Sequence, residues 1–331
     1  MNIWLVALIR AVLILLVMLL NGAMAIYMLR KVLGHAHLRL GPTELGPAGL
    51  GQLIADIVKL LVKEDRHPNH SDRWLYLIAP FIVFVPTFVA FAFIPFSDKL
   101  VAANPSLSLI MMLAFLSLAP LGIFAAGWSS RSKFATIGAV RAVGGMITYE
   151  IPLLLSALPP VMLAGSANLQ AIVTAQSTSI WYVIPCLPSF IMFLVCAQME
   201  MGQAPFDMTE ADQELVAGFA TEYSAMRFGF MYLAEFAENF IMAALAVTLF
   251  LGGWTLPGIS ATALGPFAVL VFVVKCYILI FLFMMVRGTL SRYRVDHYMN
   301  VGWKRLLPAS ILWIMVFAAA LKVIAILKGG A

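Results

Sequence analysis

Eight long apolar stretches constrain this chain more than any other feature of its sequence. They run approximately over residues 3–28, 75–97, 106–127, 143–165, 180–199, 231–254, 264–287 and 306–327. About 20 apolar residues suffice to cross a bilayer as a helix. The alternation typical of membrane β-barrels is absent, so the spans should be helices. We predict an all-α integral membrane protein with about eight transmembrane helices, forming a single membrane domain over 1–331.

Composition excludes the soluble classes of protein. The chain is 63% hydrophobic and 11% charged, whereas soluble domains are nearer half apolar and a quarter charged. The net charge of +5 does not indicate nucleic-acid binding, because the basic residues lie at the ends of the apolar stretches. The three cysteines are scattered, and "HPNH" places His67 and His70 in a polar loop containing proline. We therefore expect no metal site.

Lysine and arginine are concentrated in alternate connections between the predicted spans. Sixteen lie in or beside the odd-numbered connections, at about 29–74, 128–142, 200–230 and 288–305, whereas the even-numbered connections together contain only Lys99. Cytoplasmic loops of membrane proteins carry an excess of Lys and Arg. We therefore predict that the odd-numbered connections are cytoplasmic and that both termini lie on the outer side.

The first connection contains a predicted amphipathic helix, "GLGQLIADIVKLLVKED", at residues 49–65. Its apolar residues recur at helical spacing: Leu50, Leu53, Ile54, Ile57, Leu60 and Leu61. Asp56, Lys59 and Lys63 lie on or near the opposite side. This pattern is typical of a helix lying along a membrane surface.

Ionisable residues interrupt the apolar stretches. They are Glu150, Glu200, Glu235, Glu238 and Lys275. Such groups are costly at membrane depth and usually mark an ion path or a ligand site. Glu235 and Glu238 are three residues apart and share a helix face. The pattern favours a proton relay, although each acid could instead pair with a cation for structural reasons.

The fifth connection is rich in acids. It carries Asp207, Glu210, Asp212, Glu214 and Glu222, with no Lys or Arg between 201 and 218. Pro205 should break a helix there. We expect the arginines of the first and seventh connections to supply the missing positive charge. The alternative is a solvated acidic loop.

Four long stretches carry a family resemblance. They are "RKVLGHAHLRLGPTELGPAGLGQLIADIVKLLVKED", "GWSSRSKFATIGAVRAVGGMITYEIPL", "APFDMTEADQELVAGFATEYSAMRFGFMYLAEF" and "VRGTLSRYRVDHYMNVGWKRLLP". Over about residues 25–310 the chain resembles the quinone-binding membrane subunit of proton-pumping NADH:quinone oxidoreductase, respiratory complex I. In that family the subunit links the two arms of the complex, and its mitochondrial counterpart is known as subunit 1.

The resemblance implies a membrane translocase subunit without a redox centre or bound cofactor of its own. Its cytoplasmic loops would form part of a chamber for a quinone such as ubiquinone. FMN and iron–sulfur clusters would belong to hydrophilic peripheral-arm subunits, and further partners would be small membrane subunits and antiporter-like subunits. The location would be the bacterial cytoplasmic (inner) membrane, with no nucleic acid as partner.

The resemblance also assigns residues. The proton-relay and coupling group would be Glu150, Glu200, Glu210, Asp212, Glu214, Glu222 and Glu235. The quinone-binding group would be Arg30, Arg39, Asp56, Lys59, Asp207, Arg287, Arg292 and Arg294.

The chain departs from the family's pattern at three places. Leu29 stands where the family usually has Glu, and Gly202-Gln203 stands where it usually has Asn-Arg. Glu238 is an additional acid. "EMGQAPFD" also leans towards the membrane anchor subunits of related membrane-bound hydrogenases, which are the alternative. A stand-alone transporter is less compatible with the sequence, because no internal repeat is evident.

Overall fold

The computed structural model describes residues 3–66, 68–209, 212–257 and 265–329, and helices form its architecture throughout these ranges. The helices in chain order are α1 Ile3–Ala36, α2 Gly51–Val62, α3 Arg73–Phe91, α4 Ser108–Leu116, α5 Ala119–Ser129, α6 Lys133–Ala164, α7 Leu169–Thr178, α8 Leu187–Glu200, α9 Asp212–Leu215, α10 Ala225–Phe250, α11 Phe267–Thr289, α12 Val295–Val301 and α13 Leu307–Gly329. A π-helical turn at Gly302–Leu306 joins α12 to α13. The predicted all-α fold class is confirmed.

Among the described residues, seven helical segments are long and apolar enough to cross a membrane. They contain α1, α3, α4 with α5, α6, α10, α11, and α12 with α13. The fifth predicted span, 180–199, contains instead the 14-residue helix α8, which is shorter than these seven segments. The preceding residues form turns, and Pro188 lies in the first helical turn, where its missing N–H is tolerated.

Several helices begin before the apolar stretches that predicted them. Helix α6 begins at Lys133 rather than near 143, and α10 begins at Ala225 rather than near 231. Hydropathy marks the part of a helix that suits lipid, whereas backbone hydrogen bonding continues beyond it. Parts of the connections predicted at 128–142 and 200–230 are therefore helical.

Helix α10 lies at the centre of the bundle. It packs against α1, α3, α8 and α11. Its small residues Ala237, Ala243 and Ala246 are fully buried, and small side chains allow helices to approach closely in membranes. Helices α1 and α13, in contrast, expose most of their apolar side chains. The acids of α10 are therefore inside the bundle rather than on its outer surface.

Helix α2 confirms the predicted surface helix. None of its residues is buried, and apolar side chains such as Ile54 and Val62 are 68% and 81% exposed. Leu53 and Leu60 point instead into a crevice beside α1 and α10. An apolar outer face on a short helix of this kind suits the boundary of a bilayer.

Lys275 in α11 secures the end of α10. Its Nζ donates to the backbone carbonyls of Leu251, Gly253 and Thr255 at 2.8, 2.9 and 2.6 Å. The ammonium also lies 4.3 Å from the ring centroid of Trp181. These carbonyls follow the last turn of α10, where helical partners are missing. The lysine therefore uses all three of its donors to hold this turn.

Candidate functional site

A cavity of about 80 Å³ lies between α6, α8, α10 and α11 and is lined by Glu200, Glu235 and Glu238. We call it the acid cavity. Each of these acids is partly buried, and its accessible part faces the cavity. Glu235 and Glu238 reach it together because they are three residues apart on α10.

The loop 201–209 closes one side of the acid cavity and contributes Asp207. Aromatic packing holds this loop against the chain beyond α11. The Phe206 ring lies 5.5 Å from that of Tyr293 and 5.8 Å from that of Tyr298. The N–H of Tyr293 also donates to the carbonyl of Pro205 at 2.9 Å. The loop is therefore fixed at the cavity by contacts far apart in sequence.

Glu235 has two polar neighbours of different kinds. Arg287 of α11 approaches it at 3.8 Å between Nη1 and Oε1, and the side chain of Gln203 lies beside it. Gln203 is buried and is one of the positions that depart from the family's pattern. An amide therefore contacts Glu235 from a position where the family usually has a cation.

A second cavity, of about 180 Å³, is lined by Glu150 together with Ser117. We call it the Glu150 cavity. Glu200 and Tyr149 line both this cavity and the acid cavity. The two cavities therefore meet at this pair.

An ion-paired cluster, the Glu214 cluster, lies outside the membrane-spanning helices. Glu214 accepts from Nη1 of Arg141 at 2.6 Å and pairs with Nη2 of Arg292 at 2.5 Å. Hydrogen bonding from Arg141, together with the charges of both guanidinium groups, lowers the pKa of Glu214. The carboxylate therefore stays ionised at neutral pH.

We expected arginines of the first and seventh connections to balance the acids of the fifth, and for Glu214 this is only half right. Arg292 comes from the seventh connection, as expected, but the second cation is Arg141 from the third connection rather than an arginine of the first. Within the described part of the chain, Arg30 of α1 pairs instead with Asp56 of α2. Helix α6 starts early enough to carry Arg141 to the loop, which hydropathy did not indicate.

A crevice of about 460 Å³ opens at the side of the bundle between α1, α2 and α10. We call it the side crevice. Its wall is mainly apolar and includes Leu19, Ala23, Ile26, Leu53, Leu60, Phe228, Phe230, Tyr232 and Leu233. Its polar end holds Arg30, whose Nη1 donates to Asp56 at 2.6 Å, and Lys59. Gln52 also donates to Asp56, at 3.0 Å.

The side crevice and the acid cavity share wall residues. Phe228 and Tyr232 of α10 line both. The side crevice, the acid cavity and the Glu150 cavity therefore lie in series, separated first by these two aromatic side chains and then by Tyr149 with Glu200.

Other predicted site residues lie elsewhere. Arg39 is exposed in the turn after α1, and Arg294 makes only a 3.8 Å pair with Asp296, both side chains being 79% exposed. The backbone carbonyl of Glu222 accepts from the Tyr76 hydroxyl. Glu210 and the side chain of Asp212 lie outside the described residues.

The three departures have distinct surroundings. Leu29 is packed in the main hydrophobic core of the bundle and lines none of the three cavities. Gln203 contacts Glu235, and Glu238 faces the acid cavity. His67 of the "HPNH" sequence lies outside the described residues, and elsewhere in the described chain no three His, Cys, Asp or Glu side chains are grouped to hold a metal ion.

Sequence reasoning missed three residues of the site: Arg141, Tyr149 and Tyr232. Tyr149 is next to Glu150 in sequence, and that adjacency was an available signal. Arg141 was counted only as a topological charge. Tyr232 looked like one more aromatic residue in an apolar helix, and only packing shows that it separates two cavities.

Comparison with known proteins shows the family of this chain. A sequence model described as NADH dehydrogenase matches residues 9–318. The chain belongs to this family. A relative from Rubrobacter xylanophilus, named as an NADH-quinone oxidoreductase subunit, is 43% identical over 297 residues, which is 89% of each chain.

Two further relatives carry the same name. The protein of Brevibacillus brevis is 41% identical over 310 residues, 94% of this chain and 91% of the relative. The protein of Burkholderia vietnamiensis is 40% identical over 320 residues, 94% of this chain and 90% of the relative. The resemblance stated from the sequence is confirmed.

Proposed function

We propose that this chain is the membrane subunit of a proton-translocating NADH:quinone oxidoreductase that admits quinone and passes protons between buried acids. The observation that carries the proposal is the series of three cavities, each sharing wall residues with the next. The family match and the names of the relatives supply the reaction.

The side crevice has the chemistry of a quinone entrance. A quinone has an apolar ring, and its two carbonyl oxygens accept hydrogen bonds. Ligand sites for such molecules are mainly apolar, with a few placed polar groups. The crevice offers apolar walls from α1, α2 and α10, with Arg30, Asp56 and Lys59 at one end. Because α2 exposes apolar side chains outward, a molecule dissolved in lipid could enter beside it.

Protonation changes would start where Asp207 and Arg287 meet Glu235 at the acid cavity. Reduction of a quinone to a quinol consumes two protons and two electrons. A carboxyl that gives up a proton gains a negative charge, which shifts the proton affinity of neighbouring acids. Glu200 faces both buried cavities, so it can pass such a change from Glu235 towards Glu150.

The Glu214 cluster has a different role in this proposal. Arg141 and Arg292 keep Glu214 ionised and tie α9 to α6 and to the connection after α11. The loop beside the acid cavity is thereby held in one position. We place Glu214 as a positioning residue of the chamber.

The electrons would come from outside this chain. FMN and iron–sulfur clusters would belong to peripheral-arm partners, and antiporter-like subunits would receive the coupling. The excess of Lys and Arg in the odd-numbered connections supports a cytoplasmic position for them, where a hydrophilic partner would dock. The membrane would be the bacterial cytoplasmic membrane. With α8 and the turns before it completing an eighth crossing, both termini would lie on its outer side.

The proposal is tested on the complex purified through a tag on this chain. We expect NADH to drive reduction of a short-chain quinone. Within that complex, Ala23→Phe should fill part of the side crevice and raise the KM for quinone by about tenfold, since about 1.4 kcal/mol of lost binding has that effect. Ala7→Phe is the matched control, because Ala7 lies on an exposed part of the same helix.

An unchanged KM in Ala23→Phe would remove the side crevice as the entrance. Co-purification of a nickel hydrogenase, with hydrogen evolution and no quinone reduction, would contradict the whole assignment and favour the hydrogenase alternative.

A further inference from the structure

Glu238 is an acid that the family resemblance does not account for. It lies on α10, one turn beyond Glu235, and faces the acid cavity. Within the described part of the chain, none of the ion pairs includes Glu238. Its hydrogen bond runs instead to Thr87 of the neighbouring helix α3.

The geometry around Thr87 allows two arrangements of one proton. Oγ1 of Thr87 lies 3.1 Å from Oε1 of Glu238 and 3.0 Å from the carbonyl oxygen of Val83. A threonine hydroxyl has a single hydrogen and two lone pairs. It can donate to Val83 while accepting from a protonated Glu238, or turn and donate to an ionised Glu238.

Both arrangements satisfy Thr87. Thr87 is fully buried, so neither arrangement depends on solvent. Each protonation state of Glu238 has a hydrogen-bond partner, and an unmet buried polar group would otherwise be costly. Changing between the states requires only rotation of one hydroxyl. This is the property expected of a group that gains and loses a proton repeatedly.

The surroundings supply exchange partners. The charged groups facing the acid cavity from other positions are Glu200, Glu235, Asp207, Arg141 and Arg287, and the phenols are Tyr149, Tyr232 and Tyr298. A cavity of about 80 Å³ has room for water beside these charged groups, because each water needs only about 10–15 Å³ of such space. Protons can therefore reach Glu238 without leaving the protein.

We propose that Glu238 is an additional proton-holding group of the acid cavity and that Thr87 is its positioning residue. This inference rests on the proposed function of the acid cavity as a proton path. In the step, an O–H bond of the donor breaks and an O–H bond forms at Glu238, so one proton moves and no electron does. Thr87 turns its hydroxyl towards Val83 at the same time.

The test is infrared difference spectroscopy of the whole complex between its oxidised and NADH-reduced states, in H2O and 2H2O. We expect a carboxylic acid C=O band that shifts in 2H2O, disappears in Glu238→Gln and changes position in Thr87→Val. Thr248→Val is the matched control, because Thr248 is also buried and its hydroxyl donates within α10, to the carbonyl of Leu245. Its spectrum should match that of the unaltered complex.

Carboxylic acid bands in Glu238→Gln identical to those of the unaltered complex would overturn the inference. If Glu238→Gln fails to assemble, an unshifted band in Thr87→Val overturns it instead. Proton translocation by Glu235→Gln separates the two proposals. If Glu235→Gln impairs translocation but the carboxylic acid bands of Glu238→Gln match those of the unaltered complex, only the inference about Glu238 is overturned. Full translocation in both Glu235→Gln and Glu238→Gln removes the proton path itself.

Discussion

The Glu214 cluster and the acid cavity both collect carboxylates, but they stabilise them differently. Glu214 is held by two guanidinium groups at 2.6 and 2.5 Å, whereas Glu238 in the acid cavity is hydrogen-bonded to the hydroxyl of Thr87 at 3.1 Å. A guanidinium always stabilises the charged carboxylate. A hydroxyl can serve either protonation state. The difference teaches that the charge of Glu214 is fixed, whereas Glu238 has a hydrogen-bond partner in either protonation state.

The largest effect is expected from Glu235→Gln. This change removes an exchangeable proton and leaves Arg287 without its carboxylate partner. Loss of a proton-transferring group typically costs a hundredfold or more, so we expect coupled turnover to fall by about a hundredfold. The measurement is NADH-driven quinone reduction by the assembled complex.

A double variant, Glu235→Gln with Arg287→Gln, sharpens this prediction. In the single variant, Arg287 keeps its charge without a carboxylate partner. If this unpaired charge causes part of the loss, the activity of the double variant should be higher than the sum of the two single free-energy effects predicts. Normal turnover in the Glu235→Gln complex would place the acid cavity outside the coupled reaction.

A smaller loss is expected from Glu214→Gln. Because this pair is partly exposed, neutralising the carboxylate should cost only about 1 kcal/mol. Displacement of the loop should then lower quinone reductase activity by about fivefold, with the complex still assembled. Asp296→Asn is the control, since its pair with Arg294 is at the surface. Equal activity in the two variants would show that the Glu214 cluster does not position the chamber.

The lowered pKa of Glu214 predicts how its stabilising effect depends on pH. A group whose folded pKa is depressed stabilises the fold above its ordinary pKa, about 4.3 for Glu. That contribution is lost as the pH falls through the folded value. The melting temperature of Glu214→Gln should thus lie below that of the unaltered complex at pH 7, and the gap should close on acidification. A constant gap would show that Arg141 and Arg292 do not act through the charge of Glu214.

The smallest effect on proton translocation is expected from Lys275→Met. Lys275 is charged and within the bundle, but its donors are all directed at backbone carbonyls. Its loss should lower the free energy of unfolding by about 2–3 kcal/mol and leave the protons translocated per NADH unchanged. Lys322→Met, at an exposed position of α13, should leave both quantities unchanged. A reduced proton ratio in Lys275→Met would extend the proton path beyond the acids.

Hydropathy predicted most of the bundle because a membrane demands long apolar helices. It failed at α8, where turns containing Pro185 replace the first part of the predicted span. Hydropathy also placed the start of α6 near residue 143 rather than at Lys133, because a helix can continue beyond the lipid. Arg141 was consequently assigned to a loop, and its partnership with Glu214 was not foreseen.

The acids themselves were predictable, because a carboxylate in an apolar stretch stands out. Their neighbours in the folded chain were not predictable. Nothing in the spacing of Thr87 and Glu238 indicates that α3 and α10 bring them to 3.1 Å. In the same way, the separation of two cavities by Tyr232 depends on how α10 is rotated within the bundle. Such features arise from packing between helices far apart in sequence.

The central claim is that protons pass between the two buried cavities at Glu200. The most direct measurement is the number of protons translocated per NADH oxidised by Glu200→Gln complexes in sealed proteoliposomes, beside the unaltered complex. Our account predicts a reduced ratio in Glu200→Gln, with the complex still assembled and reducing quinone. A full ratio in that variant would contradict the account.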